Sequence, residues 1–212
     1  MQLNTLKSIA RLFAIVADRN NDTVKENYIK IFNDFLNELV DEKYVGELKN
    51  EFELNLSITA TGSSPKKLSL NSVKLISLLE ELKNKLSVID RHIVIVYVIL
   101  LTEETGKSEA STAFINEVAS SFSVQIQVVE EIREFISKSY PSINCEITKE
   151  NLLSVDNGVL LFKVYKIGFK HNGINIRSNR ICVLTKDSVL SDEQGRNYFY
   201  PEIEAILKSG NQ

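Results

Sequence analysis

From Leu3 to about Tyr140 the apolar residues recur three and four positions apart, the spacing of one helical face, whereas from Cys145 onward they alternate, the spacing of strands. The first part reads as about seven helices. Leu6, Ile9, Leu12, Phe13 and Val16 form one stripe over Leu3 to Ala17. Thr23 and Glu26 stand as a capping box, the hydroxyl accepting from the Glu26 amide while the carboxylate reaches back, and open a second helix along Tyr28, Ile31, Phe32, Phe35 and Leu39. A weaker third helix carries Tyr44, Leu48 and Phe52. Ser57 to Ser72, centred on Gly62-Ser63-Ser64-Pro65-Lys66-Lys67, has no period and predicts a flexible loop. Ser72 then caps a helix along Leu75, Leu78, Leu79, Leu82 and Leu86.

The run Ile93 to Leu101 is rich in β-branched residues, which favours a strand. Its uninterrupted extent, from Val88 to about Glu103, decides for a buried helix, with Ile95, Val98, Ile99 and Leu101 among the innermost residues. Ser108 starts the next helix, with Phe114, Ile115, Val118 and Phe122 inward, and Val128, Val129, Ile132, Phe135 and Ile136 mark the last before Tyr140-Pro141. In the alternating part Val159 to Ile167 reads as a strand and Asn172-Gly173 as a hairpin turn. Ile174 to Arg177, Ile181 to Thr185 and Asn197 to Tyr200 read as further strands, and Pro201 opens a short helix to Leu207. The fold class is therefore α+β: a helical bundle over residues 1–140 and a small antiparallel β domain over 145–212.

Composition narrows the picture by exclusion. The 212 residues are 43% hydrophobic and 25% charged, ordinary for a folded globular protein and unlike a disordered or collagenous one. A net charge of −3 lacks the broad basic surface of a nucleic-acid binder, and Lys66-Lys67 is too short to make one. The acidity lies in the helical part, where residues 1–144 hold 16 basic and 20 acidic side chains against 9 and 8 in the remainder. Two cysteines, Cys145 and Cys182, with two histidines supply neither a disulfide framework nor a structural zinc cluster, so the expected compartment is reducing. The apolar stretch Leu12 to Ala17 is too short for a secretory leader, and Ile93 to Leu101 falls well below the roughly 20 residues of a spanning helix, so direct membrane insertion is not expected.

Candidate chemistry is sparse. Gly106-Lys107-Ser108 follows an apolar run and precedes a helix, as in a phosphate-binding loop, but the position that needs the first glycine is Leu101, and Glu103 and Glu104 would repel phosphate. Asp18-Arg19-Asn20-Asn21-Asp22 has the oxygen spacing that opens a calcium loop, yet Thr23 and Ile29 stand where such a loop needs glycine and glutamate, and a polar turn capping the next helix is favoured. His92 and His171 have no triad partners and read as surface or capped groups, and no serine lies in a nucleophile-elbow setting. Phe32, Phe35, Phe114, Phe122 and Phe135 fall on core stripes.

Two segments carry a family likeness. Leu12-Phe13-Ala14-Ile15-Val16-Ala17-Asp18 is followed eight residues later by Glu26, and Val98 to Gly106 is followed by Ala113-Phe114-Ile115-Asn116-Glu117-Val118-Ala119 and Ser123-Val124. This pattern, over about residues 1–140, resembles the tellurite-resistance TerB-like family of all-helical domains, whose acidic turns are implicated in binding divalent cations. The resemblance implies a cation role for Asp18 and Glu26, with Asn20 and Asp22 as further oxygen donors. Such a hard-oxygen set suits calcium rather than zinc. The second half departs from the pattern, with Thr105 before Gly106 and no acid among Ala110 to Ala113, although Glu104 and Glu109 lie close by. The tail, including Asn172-Gly173-Ile174-Asn175-Ile176, Arg180 to Leu184 and Tyr198 to Ile203, is similar to a β segment that follows such a domain in large bacterial ATP-binding-cassette transporter proteins. It implies the amino-terminal part of a longer polypeptide whose ATPase lies downstream.

These readings lead to a non-catalytic regulatory or adaptor region, cytoplasmic or held at the inner face of the membrane by a protein partner or by downstream transporter domains. No nucleic acid and no cofactor are expected beyond a weak divalent cation. The alternative is a divalent-cation-binding stress-response protein of the tellurite-resistance kind.

Overall fold

Seven helices precede the strands in a computed structural model that describes residues 1–18, 25–60, 65–103, 109–138, 146–155, 158–165 and 167–209. They are α1 (Leu3–Asp18), α2 (Lys25–Leu39), α3 (Glu42–Ala60), α4 (Pro65–Lys85), α5 (Val88–Glu103), α6 (Glu109–Ser121) and α7 (Ile126–Ser137). A 3-10 turn, Lys149–Asn151, leads into β1 (Leu152–Val155), β2 (Val159–Val164), β3 (Lys170–His171), β4 (Ile174–Asn175), β5 (Arg180–Leu184), β6 (Val189–Ser191) and β7 (Asn197–Phe199), and α8 (Tyr200–Lys208) follows. The α+β class stands. The chain divides into two compact units, residues 1–129 and 130–212, with the division inside α7. Among the described residues no helix is long and apolar enough to cross a membrane.

In the first unit α5 is the central helix. Its run of consecutive apolar residues leaves no polar face, and Ile93 to Ile99 are all buried. Amphipathic α1 packs its stripe against α2, α3, α4 and α5. Rings of four helices meet there: Phe13 lies edge-on to Phe35 at 5.2 Å, Phe32 stacks on Phe52 at 4.2 Å, and Tyr97 of α5 stands edge-on to Phe35 at 5.2 Å. The Tyr97 hydroxyl, carried into this core, donates to Glu38 at 2.7 Å. Outside the core, Lys7 pairs with Glu47 at 2.5 Å and Arg11 with Glu51 at 2.7 Å, both joining α1 to α3, while Ser8 donates to Glu81 of α4 at 3.0 Å.

One expectation is overturned. The sixteen-residue loop from Ser57 to Ser72 does not exist, because α3 runs on to Ala60 and α4 begins at Pro65, which also places Ser72 inside a helix rather than at its cap. Residues 61–64, between the two helices in the sequence, lie outside the described residues. Pro65 takes the first position of α4, where a missing amide hydrogen costs nothing and a fixed φ is already helical. Lys66 to Ser72 then contain no residue that a helix rejects. The expected strand ends also shift, Val159 to Ile167 shortening to β2 at Val164.

The second unit is a two-sheet sandwich. One sheet has the order β1-β2-β5 and the other β4-β3-β6-β7, and neighbouring strands in both are antiparallel. Leu160, Phe162 and Val164 of β2, Cys182 and Leu184 of β5, and Leu190 of β6 share one buried core with Phe169, Ile176 and, from α8, Tyr200 and Ile203. Phe162 meets Phe169 edge-on at 5.1 Å. Asn172 (φ 51°) and Gly173 (φ 85°) give the two left-handed residues that a two-residue hairpin between β3 and β4 requires. The Asn172 carboxamide oxygen then accepts from the Val189 amide at 2.9 Å, which ties this turn to β6. Lys163, on the opposite face of β2 from Phe162, donates to the carbonyls of Phe135, Ile136 and Lys138 and so closes the carboxyl end of α7. Burial holds its ammonium below the usual lysine range. At α8 the Glu202 carboxylate accepts from the Phe199 amide at 2.8 Å, with Pro201 in the first turn.

Candidate functional site

The histidine beside the hairpin is the centre of a buried polar cluster. Strand alternation turns Lys170 outward and His171 inward, and the register sets His171 opposite Ile174 on one side and Leu190 on the other. The imidazole reaches between the sheets, with Nδ1 3.2 Å from Cys182 Sγ and Nε2 2.9 Å from Ser188 Oγ. Ser188 Oγ also accepts from the Thr185 amide at 2.9 Å, within a turn closed by the Ser188 amide on the Thr185 carbonyl. A neutral imidazole, donating at one nitrogen and accepting at the other, is satisfied here. Burial pushes its pKa down to about 4, so it is uncharged at neutral pH.

Thiol, imidazole and hydroxyl in a line are the parts of a nucleophilic site, but their exposure is 0%, 2% and 3%. Although the uncharged His171 imidazole and the Arg180 guanidinium lie near the thiol, a substrate atom has no approach to Cys182 Sγ in this state. The cluster joins β3, β5 and the turn before β6, and its chemistry is spent inside the sandwich. Of the expectation that His92 and His171 are surface or capped groups, the surface part is corrected by the same observation, and both rings are held by hydrogen bonds. Both are buried, His92 through Nδ1 on the Val88 carbonyl at 2.8 Å.

On the outer face of the β4-β3-β6-β7 sheet the side chains are accessible. Asn175, Lys170, Ser191 and Asn197 form one row across the four strands, fixed by the pairings Lys170 with Asn175 and Ser191, and Ser191 with Asn197. They floor an open cleft of about 890 Å³, walled by Ile167, Gly168, Arg177, Ser178, Asp192 and Glu193 among others. Asp192 is saturated: it accepts from the amides of Gln194 and Arg196 at 2.9 Å each, from Arg196 Nε at 2.6 Å and from the Tyr198 hydroxyl at 3.1 Å. Burial pushes its carboxyl up, but the Arg196 amide and guanidinium and the Tyr198 hydroxyl outweigh that and hold it below the usual carboxylate range. Gly168 adopts a positive φ of 141°, a backbone conformation that side chains rarely take, and the Glu193 side chain folds over it.

Of the residues singled out for a cation, Asp18 is the last residue of α1 and Glu26 lies exposed in the first turn of α2. Asn20, Asp22, the Asp18 side chain and Thr23 are outside the described residues, as are Gly106-Lys107-Ser108, Glu104 and Cys145. Sequence reasoning passed over both the buried cluster and the cleft. The one available signal was alternation, which sets Lys170 and His171 on opposite faces. Comparison with protein-family models, with curated proteins and with solved structures gave no match.

Proposed function

We propose that the chain is a non-catalytic regulatory or adaptor region that acts on a membrane transport system of the ATP-binding-cassette kind, in keeping with the TerB-like pattern of its helical part. The observation that carries this reading is the division of labour in the β unit. Its reactive groups, Cys182 and His171, are enclosed and structurally employed, whereas its accessible concave surface is a row of amide, ammonium and hydroxyl groups suited to holding another molecule. On this reading the chain works in the cytoplasm, at the inner face of the membrane through its partner.

The test is affinity purification of the tagged chain from the membrane fraction of its host, followed by ATPase assay of what accompanies it. An ATP-binding-cassette ATPase should co-purify, and its rate should change when the chain is removed. If no transporter accompanies the chain, the adaptor reading falls. A calcium-dependent rise in melting temperature that Asp18→Ala abolishes would then favour the cation-binding alternative through Asp18, Asn20, Asp22 and Glu26.

A further inference from the structure

We infer that the outer cleft of the β4-β3-β6-β7 sheet is a binding site for a small zwitterion of the α-amino acid kind, held between Lys170 and Glu193, an inference that goes beyond the adaptor reading and does not depend on it. Four ionisable side chains line the cleft: Lys170, Arg177, Asp192 and Glu193. Two of them are already engaged. Asp192 accepts from the amides of Gln194 and Arg196, from Arg196 Nε and from the Tyr198 hydroxyl, and Arg177 has a partner of its own. Lys170 and Glu193 make no side-chain hydrogen bond or ion pair with any described residue, each other included, and both are exposed. One cation and one anion therefore face the same cleft with their charges unmet.

The backbone sets how far apart they stand. The Glu193 side chain folds over Gly168, and Gly168 precedes Lys170 by two residues, a span of at most about 7 Å. Both border the cleft, while Phe169 between them is buried in the sandwich core. A carboxylate and an ammonium so placed, without closing on each other, leave room for a ligand that carries the opposite pair: its carboxylate on Lys170 Nζ and its ammonium on the Glu193 carboxylate. A ligand with one charge meets one of these groups and sets a like charge beside the other, and a neutral polyol meets neither charge. A free amino acid carries both charges on neighbouring carbons and meets both at once. Asn175, Ser178 and Asn197 offer donors and acceptors alike to a polar, uncharged side chain, and the volume of about 890 Å³ has room for it.

The experiment titrates residues 1–212 with glutamine at neutral pH and low salt, followed by backbone amide shifts. Wild type should bind with a dissociation constant in the millimolar range, with shifts concentrated at Lys170, Asn175, Glu193 and Asn197. N-acetylglutamine, which lacks the ammonium, and glutaminamide, which lacks the carboxylate, should each bind about fivefold more weakly, and Lys170→Gln and Glu193→Gln should each weaken glutamine by a similar factor. The double variant Lys170→Glu with Glu193→Lys, which keeps one charge of each sign, should recover affinity that either single reversal loses. Both positions are exposed, and unchanged amide shifts in the sandwich core verify folding. Equal binding of glutamine and its two capped forms, equal binding by wild type and either glutamine variant, or shifts outside the cleft would overturn the inference. So would the absence of any shift up to the solubility of glutamine. Acetate or methylammonium matching glutamine would mark a single-charge contact and overturn it as well. The titration uses the chain alone, so its outcome is independent of whether a transporter co-purifies.

Discussion

The two units satisfy their buried polar groups in different ways. In residues 1–129 three buried polar side chains bond within their own helix, Ser8 to the Asn4 carbonyl, Thr102 to the Val98 carbonyl and His92 Nδ1 to the Val88 carbonyl, each four residues earlier, while Ser8 also reaches Glu81 of α4 and the Tyr97 hydroxyl donates to Glu38 of α2. In residues 130–212 they reach across the fold, His171 to Ser188 and to Cys182, seventeen and eleven residues away. A bond to the same helix says nothing about which helix packs where, so the arrangement of the helical unit rests chiefly on the shapes of Phe13, Phe32, Phe35, Phe52 and Tyr97, with the Tyr97–Glu38 and Ser8–Glu81 bonds beside them. A bond between sheets can be made in one register only, and a slip of one residue in β3 would exchange His171 for Lys170. The helical core is specified by packing, and the sandwich by packing together with a polar lock.

Four substitutions or conditions probe that contrast. Phe13→Ala, which empties the centre of the aromatic cluster, should destabilise the helical unit by about 3–5 kcal/mol in chemical denaturation and leave β-unit amide exchange unchanged. Acid should act the other way. The pKa of His171 is pushed down to about 4 in the fold and returns to about 6.5 on unfolding, so below pH 6.5 the unfolded chain takes up a proton that the folded one refuses. Stability of the β unit should fall by about 3 kcal/mol between pH 6.5 and 4 and then level off, and His171→Gln should remove this component. Hydrogen exchange of the β2 and β5 amides across that range measures it.

Ser188→Ala leaves His171 Nε2 and the Thr185 amide each without a partner and should cost about 1–3 kcal/mol. Thr102→Val, which removes an equally buried hydroxyl that donates to a carbonyl of its own helix, should cost under about 1 kcal/mol, because the Val98 carbonyl keeps its helical amide partner. If the two hydroxyl deletions cost the same in a side-by-side denaturation series, the distinction between local and cross-sheet satisfaction fails.

The same contrast explains what could be read from the chain. Helices were legible wherever an apolar stripe set both period and partner. Val88–Glu103 matched its expected ends despite a β-branched composition, because length outweighs propensity. Ser57 to Ser72 misled because Pro65 was read as a breaker in a loop rather than as the first residue of a helix. In the β unit the hairpin at Asn172-Gly173 was legible from its dipeptide, while β1 and β6 were passed over, although Asn157-Gly158 carries the same signal between β1 and β2. The cluster of Cys182, His171 and Ser188 was invisible because no spacing along the chain encodes a meeting of two sheets. Whether the row Asn175, Lys170, Ser191 and Asn197 shares a face likewise depends on a register fixed by tertiary pairing.

The most direct test of the account is the reactivity of Cys182 in the native protein, followed by mass spectrometry with iodoacetamide as the probe so that it is distinguished from Cys145. An enclosed, structurally employed thiol is alkylated only as fast as the β unit opens, so labelling of Cys182 should be slow at neutral pH and should accelerate sharply in denaturant. Rapid, stoichiometric alkylation of Cys182 under native conditions, with a pH profile titrating near neutrality, would reveal an accessible and activated thiol beside His171. It would contradict the assignment of this cluster to structure and of the chain to a non-catalytic role.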